Sequence, residues 1–153
     1  MYIDIDNGVE KEYFTHNDFE ECVSIIERQI KLERKDVHLV TLYRGGLPLG
    51  VRLSNSLNLP LSILKYQRYD AHDNDVQMMH NEGISSSDTI YLIDDIADEG
   101  ISITKSLEYL HDKYPNNKVQ VFTLIGKESH PKEWKYVLEH SGRWIVFETW
   151  EGK

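Results

Sequence analysis

The sequence predicts an α/β protein in which a mostly parallel, twisted sheet is flanked by helices. Apolar segments of strand length alternate with segments of helical periodicity along the chain. These apolar segments lack polar alternation, as expected for strands that are buried on both faces. The length of 153 residues suits one hydrophobic core. Residues 1–153 are therefore expected to form a single domain.

The N-terminal half alternates strand and helix signals. Thr15 and Asp18 resemble a helix N-cap, with Asp in place of the more usual Glu. Pro48 follows a double glycine and suits the first turn of a helix. The predicted elements are an edge strand over residues 2–5, a helix over about 16–32, a strand over 37–43, a helix from Pro48 and a strand over 61–66.

A polar segment, Gln67 to Ser87, separates the two halves. It is rich in His, Asp and Asn and shows little periodicity. A long segment without regular structure in a compact domain is typically functional or disordered. The elements predicted after it are strands over residues 89–93, 119–125 and 144–147 and helices over 103–114 and 131–140.

Composition narrows the functional classes. The formal net charge of −9 is unfavourable for a DNA or RNA partner. No apolar run is long enough to span a bilayer, and the N-terminus lacks the pattern of a signal peptide. The single cysteine, Cys22, is interpreted as a packing residue of a helix. One cysteine fits a reducing compartment, so a cytoplasmic location is expected.

The end of the third core strand carries a high density of negative charge. In the stretch YLIDDIADEGIS, residues 91–102, four carboxylates fall within six positions. A cation or a polyhydroxyl ligand would relieve their repulsion, and so would solvation. Asp98 lies in the turn between the strand and the following helix, where it is a candidate general base.

Ligands of parallel α/β sheets bind at the carboxyl ends of the strands. We therefore expect the segments that follow the core strands to converge on one crevice. Taken alone, each has an ordinary structural explanation as a glycine turn, a pair of solvated acids or a surface lysine. Their occurrence at successive strand ends favours a binding site. The segments are Arg44-Gly45-Gly46, the polar segment, Asp94-Asp95 with the run to Ser102, and Gly126-Lys127.

The residue types at these strand ends suit a phosphorylated sugar. Free amides where Gly100 opens a helix can hold a phosphate, and Ser102 adds a hydroxyl donor. Asp94 and Asp95 can accept hydrogen bonds from vicinal hydroxyls or bind Mg²⁺. Arg44, beside two glycines, offers a guanidinium fork for a second phosphate.

The stretch LIDDIADEGIS, residues 92–102, resembles the phosphoribosyl diphosphate motif of type I phosphoribosyltransferases. That motif reads apolar residues, Asp-Asp, two variable positions and Asp-Ser/Thr-Gly-x-Ser/Thr. TLYRGGLPLG, residues 41–50, resembles the pyrophosphate loop of the same family. YDAHDND (69–75), Gly126-Lys127 and the ending RWIVFETWE (143–151) are similar to the short bacterial xanthine-guanine phosphoribosyltransferases, which have similar lengths.

The resemblance implies a type I phosphoribosyltransferase fold. It also implies the Mg²⁺-dependent transfer of a phosphoribosyl group from phosphoribosyl diphosphate to guanine, xanthine or hypoxanthine, a purine salvage reaction. Asp94 and Asp95 would hold the ribose hydroxyls and Mg²⁺, and the peptide joining Arg44 to its neighbour would be strained or cis. The residues implied for phosphoribosyl diphosphate are Arg44, Gly45, Asp94, Asp95, Asp98, Glu99, Gly100, Ile101 and Ser102.

The resemblance also implies a small base-binding hood formed by the C-terminal segment, over about residues 127–153. Lys127 would donate a hydrogen bond to purine O6. Trp144 would stack on the base, and the backbone of Ile145 would read its edge. Asp98 would act near purine N7 as the catalytic acid and base.

A closing loop and self-association are further implications of the resemblance. The flexible catalytic loop would span about residues 67–87, and residues 67–82 would close over the reaction and exclude water. The protein would form a homotetramer or a homodimer. Its partners would be phosphoribosyl diphosphate and a purine, with no nucleic acid and no membrane span.

Three departures from the family pattern leave alternatives open. Glu99 replaces a Ser or Thr whose hydroxyl faces the 5′-phosphate, and an inward carboxylate would repel a dianion. Ala97 is smaller than the usual aliphatic residue, and Glu148-Thr149 stands where one proline often precedes Trp-Glu. The alternatives are a regulatory protein that binds a nucleotide or phosphoribosyl diphosphate without turnover, and a phosphoribosyltransferase for another base.

Overall fold

The computed structural model describes residues 1–68 and 74–152. None of the helices in that part of the chain has the length and apolar character needed to cross a membrane. The elements are β1 (Tyr2–Asp6), β2 (Val9–Phe14), α1 (His16–Lys31), β3 (Val37–Tyr43), α2 (Leu47–Leu57), β4 (Leu61–Arg68), β5 (Asn74–His80), β6 (Thr89–Ile96), α3 (Ile101–Lys113), β7 (Val119–Gly126), β8 (Trp134–Glu139), β9 (Trp144–Phe147) and α4 (Glu148–Glu151).

The main sheet contains six of the described strands, in the order β5-β4-β3-β6-β7-β8. β5 runs antiparallel to β4, and the other adjacent pairs are parallel. The predicted α/β fold with a mostly parallel sheet is therefore confirmed. Because β3, β6 and β7 are parallel neighbours, their carboxyl ends open onto one edge of the sheet.

Both faces of the main sheet are covered, which explains the apolar runs of its central strands. On one face, Leu39 and Ile93 belong to a core cluster that includes residues of α1 and α2. Cys22 is buried in that cluster, as predicted. On the other face, Val40 and Leu92 pack with residues of α3. Neighbouring residues of one strand enter different clusters because side chains alternate between faces.

Helix α1 begins at the predicted N-cap. Thr15 Oγ1 accepts a hydrogen bond from the backbone N–H of Asp18 at 3.1 Å, and Asp18 Oδ2 accepts one from the N–H of Thr15 at 2.8 Å. This reciprocal pair satisfies two amides that a helix start leaves without intrahelical partners. Asp in place of Glu is therefore compatible with a complete capping box.

A second sheet, with strand order β1-β2-β9, joins the two ends of the chain. β2 pairs parallel with β9, and Phe14 lies opposite Phe147. The rings of Phe147 and Trp150 stack with their centroids 4.6 Å apart, and Phe19 of α1 meets Trp150 edge-on. These contacts attach the C-terminal segment, where the hood is expected, to α1 and to the N-terminal hairpin. Strand β2 has no counterpart in the sequence-based prediction.

The helix predicted over residues 131–140 is wrong, because Trp134–Glu139 forms strand β8. The strand pairs parallel with β7. The ring of Tyr136 covers Gly126 so closely that a Cβ on the glycine would lie 2.6 Å from Tyr136 Cγ. Pairing with β7 and packing of the aromatic rings outweigh the helical spacing of this segment.

The expectation of no regular structure from Gln67 to Ser87 is wrong for the residues that form β4 and β5, whereas residues 81–87 contain no helix or strand. Strand β4 continues to Arg68, and Asn74–His80 forms β5, which pairs with β4. An edge strand carries polar side chains that obscure the alternation expected of a strand. Residues 69–73, which hold most of the YDAHDND motif, lie outside the described residues.

Candidate active site

Two neighbouring cavities lie at the carboxyl-end edge of the main sheet. The larger, of about 430 Å³, lies between the end of β6 and the β9–α4 segment, and the smaller, of about 250 Å³, lies at the start of α3. Ile96 and Asp98 line both, so the cavities adjoin. The predicted site residues around the larger cavity are Asp95, Asp98, Lys127, Trp144 and Ile145; those around the smaller are Asp98, Glu99, Gly100, Ile101 and Ser102.

The loop after β3 lies directly against the acidic end of β6. A Cβ on Gly45 would lie 2.5 Å from Asp95 Oδ2, and one on Gly46 would lie 2.7 Å from the carbonyl oxygen of Ile93. Glycine is therefore required at both positions for this close approach. The Tyr43–Arg44 peptide is cis, one of the two states expected. The Arg44 side chain is exposed, next to the glycine that contacts Asp95.

Asp94 and Asp95 form an acidic pair at the end of β6, in which Asp94 is buried and Asp95 is half-buried. Asp94 is only 8% exposed, and its Oδ1 accepts a hydrogen bond from the N–H of Asp95 at 2.9 Å. Asp95 Oδ1 accepts one from the N–H of Ile96 at 2.7 Å. Burial and the adjacent Asp95 raise the pKa of Asp94 well above its ordinary value, and burial also raises the pKa of Asp95. A cation or hydroxyl donors bound at this pair would therefore stabilise its ionised form.

Asp94→Asn should stabilise the ligand-free protein at neutral pH by on the order of 1 kcal/mol. Because the pKa of Asp94 is raised on folding, the unfolded state loses this proton first, and stability falls as pH rises above the ordinary carboxyl range. The amide stays neutral and keeps an oxygen that can accept from the N–H of Asp95.

Urea unfolding of wild type and Asp94→Asn at neutral pH measures this difference. The stability gained by Asp94→Asn should vanish at about pH 3, where the wild-type Asp94 carboxyl is protonated in both the folded and the unfolded protein. Asp112→Asn, an exposed position of α3, is the matched control. A variant less stable than wild type at neutral pH would contradict the assigned direction.

Helix α3 begins at a glycine that leaves its first amides open. Gly100 has φ +82°, a left-handed conformation, and a Cβ there would also lie 2.9 Å from the ring of Trp134. As the N-cap, it supplies no side chain to the first turn of the helix. Ile101 and Ser102 line the smaller cavity at this positive helix end, which is suited to an anion. Glu99 lines the same cavity and is exposed.

Asp98 and Lys127 form an ion pair where the two cavities adjoin. Lys127 Nζ lies 2.5 Å from Asp98 Oδ1, and the Asp98 side chain is 57% exposed. The hydrogen bond from Lys127 lowers the pKa of Asp98 below its ordinary value. The carboxylate is therefore charged at neutral pH and able to accept a proton, while Lys127 supplies a donor beside it.

Trp144 and Ile145 form the outer wall of the larger cavity. Trp144 is 68% exposed, whereas Ile145 is buried in the core. A large exposed aromatic ring beside a cavity has a free face for stacking. Lys127, Trp144 and Ile145, predicted from segments far apart in sequence, are thus brought to one cavity with Asp98.

The acidic pair fits a magnesium ion that is shared with a phosphorylated substrate. Among residues 1–68 and 74–152, no group of three or more His, Cys, Asp or Glu side chains is arranged to hold a metal by itself. Mg²⁺ is usually bound through one or two carboxylates together with substrate phosphates and water. Asp94 and Asp95 supply that number of carboxylates, and burial raises the pKa of both, so a cation at this point would stabilise their ionised form.

Several residues that line the site were not predicted from the sequence. His140 and Glu151 line the larger cavity, and Tyr66 lines the smaller one. His140 directly follows β8. Because the sequence predicts a helix there, it does not place His140 at the end of a strand. Glu151 Oε2 accepts a hydrogen bond from the N–H of Phe147 at 2.7 Å, which holds the C-terminal turn against the cavity.

Comparison with known families identifies the class of the protein. The sequence model of the phosphoribosyl transferase domain matches residues 11–150. The chain belongs to the phosphoribosyltransferase family. The match covers the whole of the main sheet, β9 and most of β2, and it includes all the predicted site residues of this phosphoribosyltransferase. No curated protein sequence matches the chain.

Solved structures share the fold of this phosphoribosyltransferase. A purine phosphoribosyltransferase from Pyrococcus horikoshii superposes with a TM-score of 0.76 at 23% identity, covering 92% of this chain and 93% of the other. The Helicobacter pylori xanthine-guanine-hypoxanthine phosphoribosyltransferase gives 0.72 at 22% identity, with 91% of each chain covered. A Neisseria gonorrhoeae protein with bound ppGpp gives 0.72 at 17% identity, covering 91% of this chain and 88% of the other.

Proposed function

We propose that this phosphoribosyltransferase transfers the phosphoribosyl group of phosphoribosyl diphosphate to a 6-oxopurine, namely guanine, xanthine or hypoxanthine. The products would be the nucleoside monophosphate and pyrophosphate. The observation that carries the proposal is the Asp98–Lys127 pair where the two cavities adjoin. It puts a proton acceptor and a cationic donor side by side, as the N7 and O6 edge of a 6-oxopurine requires.

Phosphoribosyl diphosphate is proposed to lie across the carboxyl ends of β3 and β6. The 5′-phosphate takes the smaller cavity, where the first amides of α3 and the Ser102 hydroxyl can donate to it. Arg44 and the backbone of Gly45 bind the pyrophosphate. Asp94 and Asp95 accept hydrogen bonds from the ribose hydroxyls and hold Mg²⁺, which neutralises charge on the pyrophosphate when it is bound.

The larger cavity is proposed to hold the base. Trp144 stacks on the ring and the backbone of Ile145 reads its edge. Lys127 donates to O6, so the 6-amino group of adenine would place two N–H donors against an ammonium. Leaving a buried donor unpaired is costly, which selects for a 6-oxo group.

The chemical step follows from the charges around the ribose. The C1–O bond breaks with oxocarbenium character, and its electron pair leaves with the pyrophosphate, whose charge Arg44 stabilises. Purine N9 attacks C1, and Asp98 takes the proton from N7. Residues 67–82 are proposed to close over this carbon and exclude water, which would otherwise compete with N9.

A pyrophosphate-release assay with a panel of bases tests the proposal. Purified protein, phosphoribosyl diphosphate and Mg²⁺ should release pyrophosphate with guanine, xanthine or hypoxanthine. The preference over adenine should be at least about a hundredfold in kcat/KM. Turnover with adenine or orotate alone would overturn the 6-oxopurine assignment and favour a phosphoribosyltransferase for another base.

A second candidate function is regulatory binding without turnover. It is favoured by Glu99, an acidic residue that lines the cavity proposed for the 5′-phosphate. The Neisseria gonorrhoeae structure, with its bound ppGpp, shares the fold. If phosphoribosyl diphosphate binds but no base causes pyrophosphate to be released from it, this candidate would be favoured.

Glu99→Thr should strengthen the binding of phosphoribosyl diphosphate roughly fivefold, which corresponds to about 1 kcal/mol. The substitution removes a negative charge beside the dianionic 5′-phosphate and supplies a hydroxyl donor. Calorimetric titration of both proteins with phosphoribosyl diphosphate and Mg²⁺ measures the change. Equal affinities would show that the wild-type carboxylate points to solvent, and Glu108→Thr on the exposed face of α3 is the control.

The protein is further proposed to be cytoplasmic and to assemble as a homotetramer or homodimer. The family membership supports both proposals. Light scattering coupled to size exclusion measures the assembly directly, against a chain mass of 17.9 kDa. A monomer at the concentrations used in the activity assay would contradict the oligomeric state.

A further inference from the structure

His140 lies at the base cavity and is nearly buried. It directly follows β8, and its backbone N–H donates to the carbonyl oxygen of Gly126 at 2.8 Å. This bond fixes the residue beside the end of β7, next to Lys127. The His140 side chain is 7% exposed. It lines the base cavity and a neighbouring open cavity of about 600 Å³.

The hydrogen bonds of the His140 ring define its tautomer. The N–H of Gly142 donates to His140 Nδ1 at 2.8 Å. Nδ1 therefore presents its lone pair to that amide, and in the neutral ring the proton resides on Nε2. Nε2 lies 3.8 Å from Asp98 Oδ1. The ring thus holds an N–H donor near the carboxylate, at a distance too long for a hydrogen bond.

Lys127 and His140 compete for the same oxygen. In the ligand-free protein, Lys127 Nζ occupies Asp98 Oδ1 at 2.5 Å. If Lys127 turns to purine O6, as the proposed function requires, Asp98 Oδ1 loses this donor. The Nε2–H of His140 needs to approach by only about 1 Å to reach hydrogen-bond distance.

We propose that His140 is a positioning residue for Asp98, which takes over the donor role of Lys127 when a purine binds. The inference rests on the proposed function, since it assumes that Lys127 turns to the base. With Oδ1 held by His140, Asp98 Oδ2 remains free to accept the N7 proton as N9 bonds to C1 and the pyrophosphate departs. His140 keeps its own proton throughout.

The other histidine near Asp98 does not duplicate this role. His130 Nε2 contacts the backbone carbonyl oxygens of Asp98 and Ala97 at 2.7 and 3.2 Å, and its ring packs on Trp134. It therefore supports the turn and leaves the carboxylate to Lys127 and His140. Among the described residues, Lys127, His140 and His130 lower the pKa of the Asp98 carboxyl through their charge, but of the two histidines it is His140 whose ring nitrogen lies within 4 Å of a carboxylate oxygen.

Steady-state kinetics give the first test. His140→Ala should lower kcat by roughly tenfold to a hundredfold, the effect of losing a hydrogen bond to a charged group, with the KM for phosphoribosyl diphosphate unchanged. His140→Gln, whose amide can donate from a similar position, should recover most of the loss. His111→Ala, an exposed histidine of α3, is the control. Equal kcat for His140→Ala and wild type would overturn the proposal.

A titration of Asp98 gives a second test that needs no turnover. Lys127→Met imitates the state in which the lysine has left Asp98, and ¹³C NMR then reports the Asp98 pKa. The Asp98 pKa should be lower in the single variant Lys127→Met, which keeps His140, than in the double variant that also carries His140→Phe. Equal pKa values would overturn the role of His140, even if every base proved inactive and the proposed function failed. If no base supported activity but the Asp98 pKa differed between the two variants, the proposed transfer reaction would be refuted and the role of His140 would stand.

Discussion

Asp98→Asn should lower kcat by about a thousandfold while changing the dissociation constant of phosphoribosyl diphosphate by less than about threefold. The amide keeps the size of the side chain, but it cannot take the proton from purine N7, and general-base catalysis is worth roughly 10²- to 10⁴-fold. The exposed Asp98 carboxylate contacts Lys127 and is not needed for packing. Steady-state kinetics and calorimetric titration separate the two effects.

Asp112→Asn provides the matched control, since Asp112 is an exposed acid of α3. It should retain the wild-type kcat and melting temperature. A kcat near the wild-type value in Asp98→Asn would remove Asp98 from the role of base. An equal loss of binding and turnover would instead assign it to substrate binding.

Gly45→Ala should lower kcat/KM for phosphoribosyl diphosphate by up to about a hundredfold. The new Cβ would lie 2.5 Å from Asp95 Oδ2 and 2.8 Å from Asp95 Cγ, so either the loop after β3 or the carboxylate must move. Overpacking of this kind typically costs about 1–3 kcal/mol. The displacement separates the proposed pyrophosphate loop from the group proposed to hold ribose and Mg²⁺.

Gly8→Ala is the appropriate control for Gly45→Ala. Gly8 lies in the turn between β1 and β2 at φ +78°, and a Cβ there meets nothing within 4 Å among the described residues. It should cost some stability through backbone strain but leave pyrophosphate release unchanged. Wild-type kinetics in Gly45→Ala would show that the close contact with Asp95 has no functional role.

The central part of the fold could be predicted because its signals are local. The runs around Leu39 and Leu92 are apolar on both faces, and the turns after β3 and β6 each carry a glycine. The sheet edges could not be predicted in the same way. Strands β5 and β8 are defined by pairing with β4 and β7, and the spacing within 131–140 is equally compatible with a helix.

The candidate site likewise has one part that local sequence signals predict and one part that depends on contacts between distant segments. The acids of β6 and the start of α3 lie within residues 94–102, so their convergence follows from a single strand-turn-helix unit. The Asp98–Lys127 pair joins segments from two strands, and no local pattern specifies which cation meets which acid. His140 was missed because its position depends on β8 being a strand.

The acidic pair of Asp94 and Asp95 has an energetic consequence for the whole protein. Burial opposes ionisation of Asp94 and Asp95 and raises the pKa of both, so ionising the pair destabilises the ligand-free protein. A bound cation or hydroxyl group would relieve this cost only in the complex. Binding of the proposed substrate is therefore expected to raise the melting temperature beyond the effect of Mg²⁺ alone.

The central claim is that neighbouring strand ends form one crevice for phosphoribosyl diphosphate. Backbone amide NMR of the ¹⁵N-labelled protein, titrated with phosphoribosyl diphosphate and Mg²⁺, tests it most directly. The claim predicts that the largest shifts fall together at 44–46 and 94–102, with smaller changes near Lys127. Shifts confined to the opposite edge of the sheet, or no shifts at millimolar ligand, would contradict it.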